Sequence, residues 1–272
     1  MSLNQTIEEL QQKFPLTDHR MPIVFVGHGS PLNAIEENEF SRAWASVGKK
    51  LPKPNAILCV SAHWQTVGTH VTGMDQPQTI HDFGGFPKAL YEAVYPAPGS
   101  PELAHFAREM VQQADVVIDQ NWGLDHGTWS VLKQMFPEAD VPVVQLSLDA
   151  TQPAEHHYAL AKELRTLRER GVLLVGSGNI VHRLQAFRMD DLPYDWALEF
   201  DDTAKRLIES GDDQSLVHYE TLGRAAQLSI PTNEHYLPLL YTLALRDGQE
   251  HLQFFADKVT FGAISMRSVL IG

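Results

Sequence analysis

The chain has 272 residues, of which 43% are apolar and 20% charged, values that suit one large globular domain. Its formal net charge of −13 disfavours nucleic acid as a partner, because phosphate binding needs clustered Lys and Arg side chains. No apolar run reaches the roughly 20 residues of a membrane span, and residues 1–14 lack a signal-peptide pattern. Cys59 is the only cysteine, which excludes an intrachain disulfide. We therefore expect a cytoplasmic protein with no membrane partner.

Short apolar runs alternate with helix-like segments along the chain. Near the N-terminus, Ile7, Leu10 and Phe14 have the spacing of a short helix. Four runs rich in β-branched residues predict buried strands over 22–27, 56–62, 142–148 and 171–178. These runs lack strict alternation of polar and apolar residues, which is typical of strands covered on both faces of a parallel sheet.

Three longer segments have a helical pattern. Helices are predicted over 155–170, 194–210 and 235–245, the last interrupted by Pro238. The final run, 260–271, alternates and predicts an edge or antiparallel strand. Strands that alternate with helices predict an α/β fold, a single domain with a mostly parallel central sheet flanked by helices.

Histidines recur directly after the predicted strands. His28 follows the first run within GHGSP, His63 follows the second within SAHW, and His182 lies just past the fourth within GSGNIVH. Ligands of open α/β sheets collect outside the carboxyl ends of the strands, so these three histidines are predicted to converge on one crevice. Each of them taken alone could be a capping or core histidine.

Imidazole is the commonest metal ligand, and a catalytic mononuclear site usually takes three protein ligands. His28 and His63 are therefore candidate ligands. Other histidines with unusual surroundings are His81 in HDFGGFP, His126 in GLDHGTW and His235 in NEHYLP, which could also be loop histidines bonded to the backbone. The motifs H-E-x-x-H, G-x-S-x-G and G-x-G-x-x-G are absent, which disfavours a zincin, a serine hydrolase and a dinucleotide-binding protein.

An ordered series of motifs resembles that of the class III, LigB-type extradiol ring-cleavage dioxygenases, and closely their 4,5-DOPA extradiol dioxygenase branch. The motifs are GHGSP, SAHW, HDFGGFP, YPAPGSP, GLDHGTW, GSGNIVH and EHYLPLLY. The resemblance implies a LigB-like catalytic domain over 21–272, preceded by an N-terminal extension over 1–20. It also implies opening of a catechol ring by O2 at a mononuclear non-haem Fe(II) site.

The resemblance also implies roles for individual residues. His28, His63 and His235 match the metal ligands, with Glu234 as the alternative donor beside His235. His182 matches the acid/base histidine and is a candidate for a fourth contact to the metal. His126 matches a histidine that contacts the hydroxyl group of the substrate or the bound O2. His81 and Asp82 are expected to bind the substrate.

Two other functions use the same residues. A zinc-dependent hydrolase would employ a three-histidine site with bound water, and a non-catalytic relative would only bind the metal. Fe(II) is expected for activity, whereas Zn(II) is expected to occupy the site readily in purified protein, because three neutral ligands leave the full charge of the ion. The expected partners are a small catechol and O2. The sequence carries no signal for an oligomeric state.

Overall fold

A computed structural model describes residues 12–248 and 250–272. The strands are β1 (Ile23–Gly27), β2 (Ala56–Thr66), β3 (Thr69–Thr72), β4 (Gln78–Thr79), β5 (Val116–Asp119), β6 (Gly123–Leu124), β7 (Val143–Asp149), β8 (Val172–Gly178), β9 (Leu252–Phe255), β10 (Val259–Thr260), β11 (Ile264–Ser265) and β12 (Ser268–Ile271). The α-helices are α1 (Glu39–Lys50), α2 (Lys88–Tyr91), α3 (Pro101–Met110), α4 (His126–Met135), α5 (Ala154–Glu163), α6 (Asp195–Ser210), α7 (Asp213–Val217), α8 (Arg224–Ser229) and α9 (Leu237–Ala244). Within the described ranges, none of these helices combines the length and apolarity needed to cross a bilayer.

One eight-stranded sheet, in the order β5-β3-β7-β2-β8-β1-β12-β9, organises the molecule. Its centre is parallel, because β2 pairs with β7 and β8 and β1 pairs with β8 in the same direction. The strands β12 and β9 continue the sheet in antiparallel fashion beyond β1. The predicted α/β fold with a mostly parallel central sheet is confirmed.

The side chains of β2 show how both faces of the sheet are covered. Leu58 and Val60 enter an apolar cluster with residues of α5 and α9, whereas Ile57 and Cys59 enter a second cluster with residues of α1 and α4. Successive side chains of a strand point to opposite faces, so a strand between two helical layers is apolar throughout. Cys59 is a core residue, and burial raises the pKa of its thiol to about 12.

The end of the chain differs from its prediction. The run over 260–271 is not one strand, because β10 and β11 pair with each other and only β12 joins the main sheet. The positive φ angles of Phe261 (48°) and Gly262 (82°) turn the chain between β10 and β11. The antiparallel orientation of β12 is confirmed, but β12 lies between β1 and β9, so its placement at an edge is wrong.

The helices agree with the patterns over most of their length. The segment predicted as a helix over 155–170 is α-helical only to Glu163, and a 3₁₀-helix follows over Arg165–Arg170. This tighter helix brings two adjacent side chains, those of Leu167 and Arg168, into the interior. Pro238 lies in the first turn of α9, where its missing N–H removes no helical hydrogen bond, so it does not interrupt the helix. The helix expected from Ile7 and Leu10 lies outside the described residues.

Arg168 ties three separate parts of the fold together. Its guanidinium group is fully buried and donates to the carbonyl oxygens of Met21, 2.7 Å away, and Leu245, 2.9 Å away. The same group forms an ion pair with Glu250. These partners precede β1 and follow α9, so one side chain holds the start of the central sheet against a covering helix.

We predict that Arg168→Met lowers the free energy of unfolding by about 3 kcal/mol, because it leaves a partly buried carboxylate and two carbonyl groups without their donor. Arg42→Met is the matched control, since the pair of Arg42 with Glu37 is exposed and should contribute under about 1 kcal/mol. Urea denaturation of both variants checks the prediction, and equal losses would contradict it.

Candidate metal centre

The five histidines of the motifs other than His81 line one pocket. The pocket has a volume of about 480 Å³ and lies at the carboxyl ends of β1 and β8. Its histidines are His28, His63, His126, His182 and His235. The convergence of His28, His63 and His182 that the strand ends predict is therefore observed.

His63 reaches the pocket in a way that the sequence does not reveal. It was expected after a strand, but it lies inside β2, which continues to Thr66. The pairing of β2 with β7 shifts register between Val60 and Gln65, and such an irregularity re-aims the side chains within it. The irregular part of β2 thus turns the His63 ring toward the other histidines.

Two glycines allow the histidines to approach the scaffold closely. A Cβ atom on Gly127 would lie 2.9 Å from Cδ2 of His63 and 2.5 Å from Oγ of Ser61. A Cβ atom on Gly178 would lie 2.1 Å from the carbonyl oxygen of His235. Side chains cannot be accommodated at these distances, so both positions need glycine.

Three imidazole rings are arranged as an equilateral set. The ring centroids of His28, His63 and His235 are separated by 5.0, 5.3 and 5.0 Å. Imidazoles that bind one ion through Nε2 at the usual distance of about 2.1 Å have centroids about 5 Å apart. The Nε2 atoms of His28 and His63 lie 3.2 Å from each other. This spacing fits two ligands at neighbouring positions of one ion.

The nitrogens that face away from the pocket have partners. The hydroxyl of Ser177 donates its proton to the carbonyl oxygen of Gly127 over 2.5 Å. Its Oγ also lies 3.0 Å from Nδ1 of His28, and because its proton is already used, Oγ accepts a hydrogen bond from Nδ1–H of His28. Nδ1 of His235 lies 3.1 Å from Oε1 of Glu234, which also accepts from Thr232. A proton held on Nδ1 leaves the lone pair of Nε2 free for a metal.

Burial keeps these imidazoles neutral. It lowers the pKa of His28 and His235 well below the ordinary value, with a further contribution from neighbouring histidines. Burial, followed by repulsion from His126, lowers the pKa of His63 to about 3. The pKa of His182 is lowered to about 4, also by burial. Neutral nitrogen donors gathered at one end of a pocket fit a divalent transition metal.

The two remaining histidines of the pocket lie beside this set. His182 stacks on His235 with centroids 3.4 Å apart and ring planes within 6°. His126 packs against His63 with centroids 3.8 Å apart, and its Nδ1 lies 2.9 Å from Oδ2 of Asp82. Among the described residues, two groups have ligand atoms within 4.8 Å of one another: His28, His63 and His126, and His182, Glu234 and His235. His235 thus falls in a different group from His28 and His63, although the three ring centroids are about equally spaced.

Asp82 contacts histidines rather than the open part of the pocket. Its Oδ1 accepts a hydrogen bond from the backbone N–H of His126 over 2.8 Å, and its Oδ2 lies 3.4 Å from Nδ1 of His63. These neighbouring histidines lower the pKa of Asp82 against the opposing effect of burial. Asp82 therefore lies behind two pocket histidines at once.

His81 is placed outside the lining of the pocket. Its Nε2 lies 2.9 Å from the carbonyl oxygen of Ala93, and its ring packs against Phe83 and Trp129. This arrangement anchors the segment that carries Asp82. The role of His81 in substrate binding remains a prediction.

A buried polar network behind the pocket was missed by the sequence reasoning. Asp125 is the N-cap of α4, where its carboxylate accepts a hydrogen bond from the N–H of Thr128 over 3.0 Å. The same carboxylate accepts hydrogen bonds from the hydroxyl of Ser61 over 2.7 Å and from the side-chain amide of Gln145. Burial raises the pKa of the Asp125 carboxyl. The sequence does carry a signal for this network, because Ser61, Gln145 and Ser177 are polar residues inside otherwise apolar strands.

Comparison with known proteins agrees with this site. Residues 16–269 match the family described as the catalytic LigB subunit of aromatic ring-opening dioxygenase. The 4,5-DOPA dioxygenase extradiol of Escherichia coli K12 is 48% identical over 94% of this chain and 97% of its own. The protein of the same name from Beta vulgaris is 38% identical over 79% of this chain and 83% of its own.

The fold is also shared with a solved structure. A crystal structure of an uncharacterized protein from Escherichia coli K12 superposes with a TM-score of 0.82 at 42% identity, covering 93% of this chain and all of that one. The fold and the site thus define an aromatic ring-opening dioxygenase. The chain belongs to the LigB family, as the motifs predicted, and its relatives support extradiol cleavage as the reaction.

We predict that Ser177→Ala weakens metal binding about 10- to 100-fold, because Nδ1 of His28 loses the acceptor that fixes its proton and ring orientation. Ser130→Ala is the matched control, since Ser130 is a buried serine whose hydroxyl has no hydrogen-bond partner in the described part of the chain. Competition titration with a chromogenic chelator measures both affinities. Equal affinities would contradict the proposed tautomer of His28.

We predict that the metal-free protein loses stability as the pH falls below 6.5. The pKa values of His28, His63, His182 and His235 are lower in the folded than in the unfolded chain, so the unfolded chain binds more protons in this range. The free energy of unfolding should fall by about 1 kcal/mol per pH unit for each histidine.

Urea titrations between pH 7 and pH 5 test this dependence, because most carboxylates titrate below that window. His182→Asn should reduce the slope, whereas His251→Gln, at an exposed position, should leave it unchanged. A slope that is the same in all three proteins would contradict the account.

Proposed function

We propose that the chain is an Fe(II)-dependent extradiol dioxygenase that opens the ring of a DOPA-like catechol with O2. The observation that carries the proposal is the equilateral set of neutral His28, His63 and His235 at the inner end of a pocket with apolar walls. The DOPA dioxygenases among the relatives support the substrate class. The product is a ring-opened semialdehyde that contains both atoms of O2.

In this proposal His28, His63 and His235 hold the metal. Glu234 assists by accepting a hydrogen bond from the Nδ1–H of His235 and does not replace His235 as a ligand. The distance of 3.1 Å between Nδ1 of His235 and Oε1 of Glu234 supports this division. When bound, Fe(II) supplies a Lewis acid for the catechol oxygens and a route for electrons to O2. Because all three ligands are neutral, the site favours anionic catecholate and also accepts Zn(II).

His182 serves as the acid and base. It stacks face to face on His235 with ring centroids 3.4 Å apart, which supports a role next to the metal. Since burial lowers its pKa to about 4, His182 is neutral at pH 7 and can accept the second catechol proton. The same nitrogen returns a proton when the oxygen–oxygen bond breaks.

His126 binds an oxygen of the substrate through the edge of its ring that faces away from Asp82. Asp82 fixes the ring by accepting the backbone N–H of His126 and by lying 2.9 Å from its Nδ1. Asp82 therefore acts on the substrate through His126 and not by direct contact. Phe83, whose ring lies 5.5 Å from that of His126, closes this side of the pocket against water.

We predict that Fe(II)-loaded protein consumes O2 with DOPA and yields a product containing both atoms of isotopically labelled O2. His182→Ala should retain the metal but lower kcat by about 10²–10⁴, because the proton transfers lose their catalyst. His63→Ala should lose both metal and turnover. Oxygen uptake, mass spectrometry and metal analysis give the three readouts. A product with no labelled atom, or full activity of His182→Ala, would contradict the proposal.

A further inference from the structure

The mouth of the pocket is lined by apolar side chains that are partly in water. We call Leu184, Phe187 and Met189 the apolar rim, and their exposed fractions are 60%, 47% and 85%. Exposed apolar groups at the entrance of a concave site usually contact a ligand. The rim is therefore a surface that gains free energy when an apolar group covers it.

Aromatic walls connect the rim to the histidines. Phe187 stacks on Phe261 with centroids 5.0 Å apart, and both line the pocket. On the other wall, Phe83 lies 5.5 Å from His126, and Phe86 lies 5.4 Å from Phe83. A substituent on a catechol bound at the histidines would leave the site between these two walls.

No lysine or arginine belongs to the lining within the described ranges. Among the basic residues next to the lining, Arg183 donates to the carbonyl oxygen of Leu228 over 3.2 Å. Arg188, next to the rim, bonds Asp190 at 2.9 Å, and Lys258 lies 3.0 Å from Glu39 and 3.3 Å from Asp191. A carboxylate carried by the substrate would therefore meet no lysine or arginine side chain in the described lining, and its contact with the apolar walls would be unfavourable.

The size of the pocket leaves room for such a substituent. Its volume of about 480 Å³ falls within the range of about 300–1,000 Å³ typical of sites for drug-sized ligands. A bare catechol ring fills only the end that carries the histidines. The remaining space lies between apolar walls.

We propose that the preferred substrate is a catechol whose ring carries a bulky, uncharged, apolar substituent that packs against the apolar rim. This inference rests on the proposed function and narrows its substrate class. DOPA remains a substrate, but uncharged analogues are preferred, because the described lining holds no oppositely charged side chain for the ammonium and carboxylate groups of DOPA.

The first experiment compares two substrates of similar length with the Fe(II)-loaded protein, 4-butylcatechol and 3-(3,4-dihydroxyphenyl)propionate, with unsubstituted catechol as reference. The kcat/KM for 4-butylcatechol should exceed that of the anionic compound at least about tenfold, since the apolar chain is buried and the carboxylate is not paired. Equal values, or a preference for the anion, would overturn the inference.

The second experiment uses two leucines of the same segment. Leu184 lines the pocket and is 60% exposed, whereas Leu192 is 58% exposed and lies outside the lining. Leu184→Ala should lower the kcat/KM ratio of 4-butylcatechol to catechol about 3- to 10-fold, because it removes apolar contact. Leu192→Ala should leave the ratio unchanged. The same ratio in both variants would overturn the role of the rim.

A charge at the rim provides a gain-of-function test that does not depend on lost packing. Leu184→Lys should raise the kcat/KM of the anionic substrate relative to 4-butylcatechol, and Leu192→Lys should not.

Failure of the inference differs from failure of the proposed function. In the first case catechols are opened without these preferences, and in the second no catechol consumes O2 with any metal.

Discussion

The site depends on hydrogen bonds that hold a proton on the outer nitrogen of two of the three candidate ligands. Ser177 does this for His28 and Glu234 for His235, and in both cases the nitrogen facing the pocket keeps its lone pair. Without these acceptors a buried imidazole could turn or change tautomer, and three donors would no longer meet. Burial strengthens the arrangement because it disfavours protonation of the same rings.

The sheet supplies the rigidity that this arrangement requires. His28 follows β1 and Ser177 belongs to β8, and these strands pair in parallel along their whole length, so the donor and its acceptor are fixed by backbone hydrogen bonds. Gly127 and Gly178 then let α4 and the segment before α9 approach within a few ångströms. The apolar mouth lies on loops at the same end of the sheet, which lets selectivity vary without disturbing the ligands.

Much of this could be predicted from the sequence, because the deciding signals are local. The apolar runs gave the central strands, and the histidines after them indicated one crevice. The position of His63 within an irregular β2, the division of 260–271 and the acceptor role of Ser177 could not be predicted, because they depend on strand pairing and on contacts between residues distant in sequence. Within the motif GSGNIVH, the contact to Nδ1 of His28 is made by Ser177.

The most direct test of the central claim is anaerobic reconstitution of the metal-free protein with Fe(II) or Zn(II), followed by addition of catechol and O2. The account predicts that both ions bind with equimolar stoichiometry, because three neutral imidazoles suit either ion. Only the iron form should consume O2 and develop the yellow absorbance of a ring-opened semialdehyde. Turnover by the zinc form, or full iron occupancy without O2 uptake from any catechol, would contradict the claim that this histidine set is the centre of a ring-opening dioxygenase.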